Sequence, residues 1–335
     1  MIPAVGLAFA SSCAILAWTR GWVFLHDVSD ARLAGIILGL VIAAHWHRWR
    51  YGRFTQAALA FGACVLIPTI WSRDIRLSLF GYPGIYSGSV MTYAVCAAGL
   101  LIADQLDRGR EMVKRVILCA GTLTAVVCYM QRFQADIFRL GPEPGFVRAT
   151  GFLGSPTDTG ALFVVLMTFA PRGFIPVYLA GIWATISRGA WLAIPVALAP
   201  ARWRLWVFAA VSAFGISCAL ASPAPSDVGR KTIWRVAAAH LTWKGSGPAT
   251  FWHTFRESRP ETPIALNPAH THNAILEAIS TRGILGLLSL GFLLFLPELA
   301  ALWTISLFNP VSFEVVFIAC VLAGLSREPL KGETP

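Results

Sequence analysis

From residue 2 to residue 326 the chain is a succession of apolar stretches broken by short connections that carry many of its arginines. Most approach the roughly 20 residues a helix needs to cross a hydrocarbon core. Candidate spans lie near 2–19, 31–46, 55–71, 87–103, 113–130, 159–171, 174–187, 189–200, 203–221, 273–297 and 311–326. Only 13% of the 335 residues are charged, against about 25% in a soluble domain. In lipid every backbone polar group has to be satisfied within the span, which leaves helices for runs of this length. The expected fold is therefore all-α and polytopic in the membrane, with about 11–12 transmembrane helices. Residues 1–335 are expected to form a single transmembrane domain.

The charges orient this map. With the N-terminus in the cytoplasm, the inner connections are 47–54, 104–112, 172–173, 201–204 and 298–310. All but the last carry arginine, as the positive-inside rule requires. The outer connections include one long segment, 222–272, rich in Pro and Gly but also holding Trp234, Trp243, Phe251, Trp252 and Phe255. Those aromatics argue against disorder, and an amphipathic stretch near Lys231–Trp243 could lie on the membrane surface. The first apolar stretch has no basic residues before it and reads as a first span rather than a cleaved signal. The net charge of +10 is scattered over short loops, which excludes a nucleic-acid footprint. Cys13, Cys64, Cys96, Cys119, Cys128, Cys218 and Cys320 all lie in apolar stretches without C-x-x-C spacing, so they read as packing residues.

Against this background His270-Thr271-His272-Asn273-Ala274-Ile275-Leu276-Glu277 stands out. It crowds two imidazoles, an amide and a carboxylate at the mouth of a span. Ionisable groups there are functional candidates by default. His272 suits proton transfer near neutral pH, and reads alternatively as an interfacial or capping histidine. Asn273 and Glu277, four apart, share a helix face; Asn273 also reads as a helix N-cap. Glu277 is placed to orient an imidazole or pair with an arginine. His270-x-His272 lacks a third ligand nearby, so no metal site is expected. Arg188, in Ser187-Arg188-Gly189 with apolar helix on both sides, offers a planar fork of donors to phosphate oxygens. Its alternative is a snorkelling anchor. Gly283 and Gly286 are expected to allow close helix packing.

His272-Asn273-x-x-Leu276-Glu277 followed by Arg282-Gly283-Ile284-Leu285-Gly286-Leu287 resembles the signature of the O-antigen ligase superfamily. Four further stretches agree in order: Leu79-Phe80-Gly81 with Tyr86-Ser87-Gly88; Arg148-Ala149-Thr150-Gly151-Phe152 with Ser155-Pro156; Ser187-Arg188-Gly189-Ala190-Trp191-Leu192; and Arg230 with Trp234, then Gly245-Ser246-Gly247-Pro248. Thr157-Asp158 depart from the family's usual asparagine, and Arg282 stands where the family often has an acidic or apolar residue. The resemblance implies an inverting glycosyltransferase that needs neither metal nor cofactor. Its place would be the bacterial inner membrane, with its site facing the periplasm. The donor would be an undecaprenyl-pyrophosphate-linked glycan and the acceptor a hydroxyl of lipid A–core or another molecule. It assigns His272 as base or acceptor-orienting residue. Arg188 and Arg230 become pyrophosphate contacts, with Arg148 and Arg235 behind them and Asn273 and Glu277 beside the histidine.

Two other readings compete. One keeps the chemistry and changes the acceptor: an O-antigen or exopolysaccharide polymerase, or a protein O-oligosaccharyltransferase. The other is a transporter for a lipid-linked anion. The hydropathy shows no internal repeat, and no pair of broken helices stands in matching halves, which weighs against a transporter.

Overall fold

The computed structural model describes residues 1–16, 28–45, 53–81, 89–106, 108–133, 148–153, 155–222, 224–258, 271–294, 299–308 and 311–326. Among these the chain is all-helical, without strands. The helices are α1 (Ile2–Leu16), α2 (Val28–His45), α3 (Arg53–Leu66), α4 (Ile75–Phe80), α5 (Val90–Asp104), α6 (Arg110–Arg132), α7 (Pro156–Phe169) and α8 (Ile175–Thr185). They continue with α9 (Arg188–Leu198), α10 (Ala201–Ala221), α11 (Pro225–Ala239), α12 (Phe251–Ser258), α13 (Ala274–Leu294), α14 (Ala300–Ser306) and α15 (Phe313–Ser326). Each expected span has a helical counterpart. Two of these helices, Arg110–Arg132 and Ala201–Ala221, are long and apolar enough to cross a membrane by that measure alone. His270 lies outside the described residues, as does Tyr86-Ser87-Gly88.

The chain divides into two compact units, each discontinuous in sequence: Met1–Thr55 with Val95–Trp191 and Phe313–Pro335, and Gln56–Ala94 with Leu192–Ser312. In the first unit small residues set the spacing of helices. A Cβ on Gly6 of α1 would stand 2.7 Å from the Gly39 carbonyl of α2, and one on Gly39 would stand 2.6 Å from the Gly6 carbonyl. Such contact suits helices that associate by close packing. The same unit buries an ion pair, Arg32 Nη1 to Glu314 Oε1 at 3.4 Å. Arg32 also donates to the carbonyls of Phe152 and Leu153.

In the second unit the described part of the long segment 222–272 is not a plain loop. α11 starts at Pro225, ahead of the expected amphipathic stretch, and α12 follows. Ile233, Val236, Ala237, Phe251 and Phe255 form a core between them, with Trp234 and Leu276 packed against it. Leu276 lies in the first turn of α13, so the segment is anchored beside the start of that helix. α13 itself corrects the expectation of one continuous span, because Gly283 (φ 60, ψ −140) breaks it.

Candidate functional site

The turn that holds His272 is fastened on both sides. Asn273 accepts the N–H groups of Ile275 (3.0 Å) and Leu276 (3.1 Å) on its Oδ1, which makes it the N-cap of α13. Its Nδ2 donates to the Leu307 carbonyl at 3.2 Å. The Thr271 hydroxyl donates to the Asn273 carbonyl at 2.7 Å. Glu277 Oε2 reaches back to accept the Thr271 N–H at 2.8 Å. His272, between these anchors, takes φ 55. A non-glycine residue holds the left-handed conformation only when its surroundings over-determine it. The carboxylate of Glu277 thus staples the turn, and Asn273 combines capping with a buried link to Leu307. The half-buried imidazole sits within this hydrogen-bonded turn.

In the same unit Arg230 of α11 donates from Nη1 to Asp227 Oδ1 at 2.6 Å. Asp227 is buried and also accepts from the Ser222 hydroxyl at 2.7 Å. Arg230 is therefore held in one orientation. Arg235, one turn further on, is exposed.

Gly245-Ser246-Gly247-Pro248 docks onto the break in α13. Ser246 N donates to the Ser280 carbonyl (3.1 Å), Gly247 N to the Thr281 carbonyl (2.7 Å) and Ile284 N to the Trp243 carbonyl (3.0 Å). A Cβ on Gly283 would lie 2.1 Å from the Trp243 oxygen. That corrects the expected role of this glycine: it admits a loop's backbone, not a neighbouring helix. The opposite side of the docked segment meets residues 71–78. Trp71 Nε1 donates to the Lys244 carbonyl (2.8 Å), Arg73 N to the Ser246 carbonyl (3.2 Å) and Ser78 Oγ to the Pro248 carbonyl (2.7 Å). Arg282, which sequence reading passed over as a departure, is 3% exposed and stacks over Tyr93. Its signal was available: a cation inside an apolar run.

In the first unit Arg148 and Arg188 come close. Burial pushes the Arg148 guanidinium below its ordinary range, and the charge of Arg188 pushes it further. Arg148 Nε donates to the Thr185 carbonyl at 3.1 Å, and Ala149 N to the Ala184 carbonyl at 3.0 Å. These bonds pin residues 148 and 149 to the end of α8. Ile186, at φ 50, ends α8. The Ser187 oxygens then accept from Ala190 N (side chain, 3.4 Å) and Trp191 N (carbonyl, 3.1 Å), and α9 begins at the exposed Arg188. Ser155 caps α7 by accepting the Asp158 N–H at 3.3 Å, with Pro156 in the first turn. Arg148 and Arg188 thus belong to one unit, and Arg230, Arg235, His272, Asn273 and Glu277 to the other.

Among the described residues no group of three or more His, Cys, Asp or Glu side chains is arranged to hold a metal ion. No protein-family model matches the chain, and no curated protein sequence matches it.

Proposed function

We propose that this chain is a polytopic membrane glycosyltransferase of the O-antigen ligase type, with its site at the periplasmic face of a bacterial inner membrane. It would move a glycan from an undecaprenyl-pyrophosphate carrier to an acceptor hydroxyl. One observation carries the reading. Nearly every described residue with positive φ lies in or beside a stretch quoted for the resemblance: Gly81, Gly151, Ile186, Gly245, Gly247, Ala249, His272 and Gly283; only Gly109 lies elsewhere. Ile186, Ala249 and His272 among them are not glycine, and left-handed conformations held by such residues cluster at functional sites. The membrane assignment is supported by apolar side chains left facing outward, among them Trp206 (71% exposed) and Phe214 (65%) on α10, a helix that is long and apolar enough to span.

The chemistry suits these residues. A pyrophosphate leaves readily, so the main demand is cations that stabilise its growing charge where water is scarce. Arg188 and Arg230 take that role, supported by Arg148 and Arg235. His272 removes the proton of the acceptor hydroxyl, an effect typically worth about 10²–10⁴-fold. Attack on the anomeric carbon from the side opposite the leaving pyrophosphate inverts its configuration.

The test is transfer from a lipid-linked glycan by the purified chain, with His272→Ala and Arg188→Ala beside wild type. Loss of turnover is expected in both, and activity should survive metal chelation. Wild-type-like turnover in either variant removes its assigned role. Movement of the donor across proteoliposome membranes without transfer would favour a transporter instead.

A further inference from the structure

Among the described residues Arg282 is a cation without a counter-ion, in a place where that is costly. Its side chain is buried, at 3% exposure. Its guanidinium carbon sits 4.7 Å from the centre of the Tyr93 ring. Its Nη1 is buried and makes no hydrogen bond among the described residues. None of the described carboxylates lies within ion-pair distance of it. Taking a guanidinium out of water is unfavourable unless its donors are satisfied, and an aromatic face offsets only part of that.

A second observation stands beside it. The residue after Arg282 breaks α13, and the Trp243–Gly247 backbone is hydrogen-bonded onto the break. Arg282 is nine positions beyond Asn273 (273 to 282), roughly 13 Å along a helix. Irregular backbone at such a depth is tolerated where it is buried in protein or lines a polar cavity. Broken helices in membrane proteins serve ion and anion sites for that reason.

We infer that the side chain of Arg282, beside the filled break in α13, forms a binding subsite for phosphate oxygens, additional to Arg188 and Arg230. The in-plane donors of Arg282 would pair with two of those oxygens while Tyr93 covers one face of the guanidinium. The depth of the break in a membrane and the physiological source of the phosphate, the donor's pyrophosphate, rest on the proposed function; a lipid headgroup offers the same chemistry.

The experiment uses the full chain in phosphatidylcholine nanodiscs, with thermal unfolding followed against inorganic pyrophosphate for wild type, Arg282→Met and Arg282→Lys. Pyrophosphate should raise the wild-type midpoint, with its apparent affinity at least about tenfold weaker in Arg282→Met. Without anion, Arg282→Met should unfold no earlier than wild type, because an uncompensated buried charge has been removed. Arg282→Lys, which keeps the charge and loses the fork, should fall between. The same series in phosphatidylglycerol nanodiscs separates the sources: an Arg282-dependent rise with that lipid alone supports the subsite and assigns it to a headgroup. A pyrophosphate response unchanged in Arg282→Met overturns the inference and leaves Arg282 a packing residue. If Arg282→Met does not fold, an unchanged response in Arg282→Lys overturns it equally. Glycosyl transfer by the wild-type preparation is read separately. Transfer without an Arg282-dependent anion response sinks the subsite alone. An anion response without transfer sinks the proposed function alone.

Discussion

Gly283→Ala should detach the Trp243–Gly247 segment from α13. The added methyl would sit 2.1 Å from the Trp243 oxygen, 2.5 Å from its carbonyl carbon and 2.7 Å from that of Lys244. All three are backbone atoms, so no side-chain rotation relieves the clash. The residue also holds φ 60, ψ −140, a conformation that costs a non-glycine residue about 1–3 kcal/mol. If the segment lifts away, the bonds from Ser246 N, Gly247 N and Ile284 N are lost. At about 1 kcal/mol each, they bring the total to about 4–6 kcal/mol, a large share of a typical folding stability of about 5–15 kcal/mol. Hydrogen exchange of the Ser246 and Gly247 amides reads the detachment directly, and the thermal midpoint reads the loss. Gly62→Ala is the matched control. Nothing lies within 4 Å of its Cβ position inside α3, so alanine there should stabilise by about 0.5–1 kcal/mol. Unchanged Ser246 and Gly247 protection in Gly283→Ala, with a midpoint like that of wild type, would refute the reasoning.

Other perturbations separate roles that the geometry combines. Asn273→Ala loses the cap and the link to Leu307 and should cost about 2–3 kcal/mol of thermal stability. Asn273→Asp keeps the capping oxygen but loses the donor, so it should cost less; equal losses would show that capping is not the larger part. In the first unit Glu314→Gln leaves Arg32 buried beside a neutral amide and should destabilise by about 3–5 kcal/mol. Arg32→Met combined with Glu314→Leu should cost less than the sum of the two single changes, as a double-mutant cycle of unfolding midpoints would measure. His272→Gly should relax the left-handed turn and unfold no earlier than His272→Ala, since only glycine takes φ 55 without penalty. If glycine is the less stable of the two, the turn is not strained.

Much of the architecture was legible because apolar runs in a chain this poor in charge leave the backbone little but helix. The boundaries of α6, α7, α8 and α10 lie within a few residues of the expected spans. His272, Asn273 and Arg188 were legible for a related reason, since polar groups at the ends of apolar runs stand out. The motif spacing also pointed to Gly245-Ser246-Gly247-Pro248 and Gly283, but not to their meeting.

Sequence alone thus determined the helical class, the approximate bounds of most apolar helices, and the residues able to carry charge or protons. Those are local properties, set by burial and by backbone hydrogen bonding within each run. Only the tertiary structure decided that Glu277 staples a turn, that Asp227 orients Arg230, and that a loop's backbone fills the break at Gly283. It also left Arg282 buried against Tyr93 with no carboxylate beside it among the described residues. Each of these depends on groups far apart in the chain brought to within a few ångströms. Periodicity and spacing record where a polar group sits along the chain; the partner that satisfies it is selected by packing.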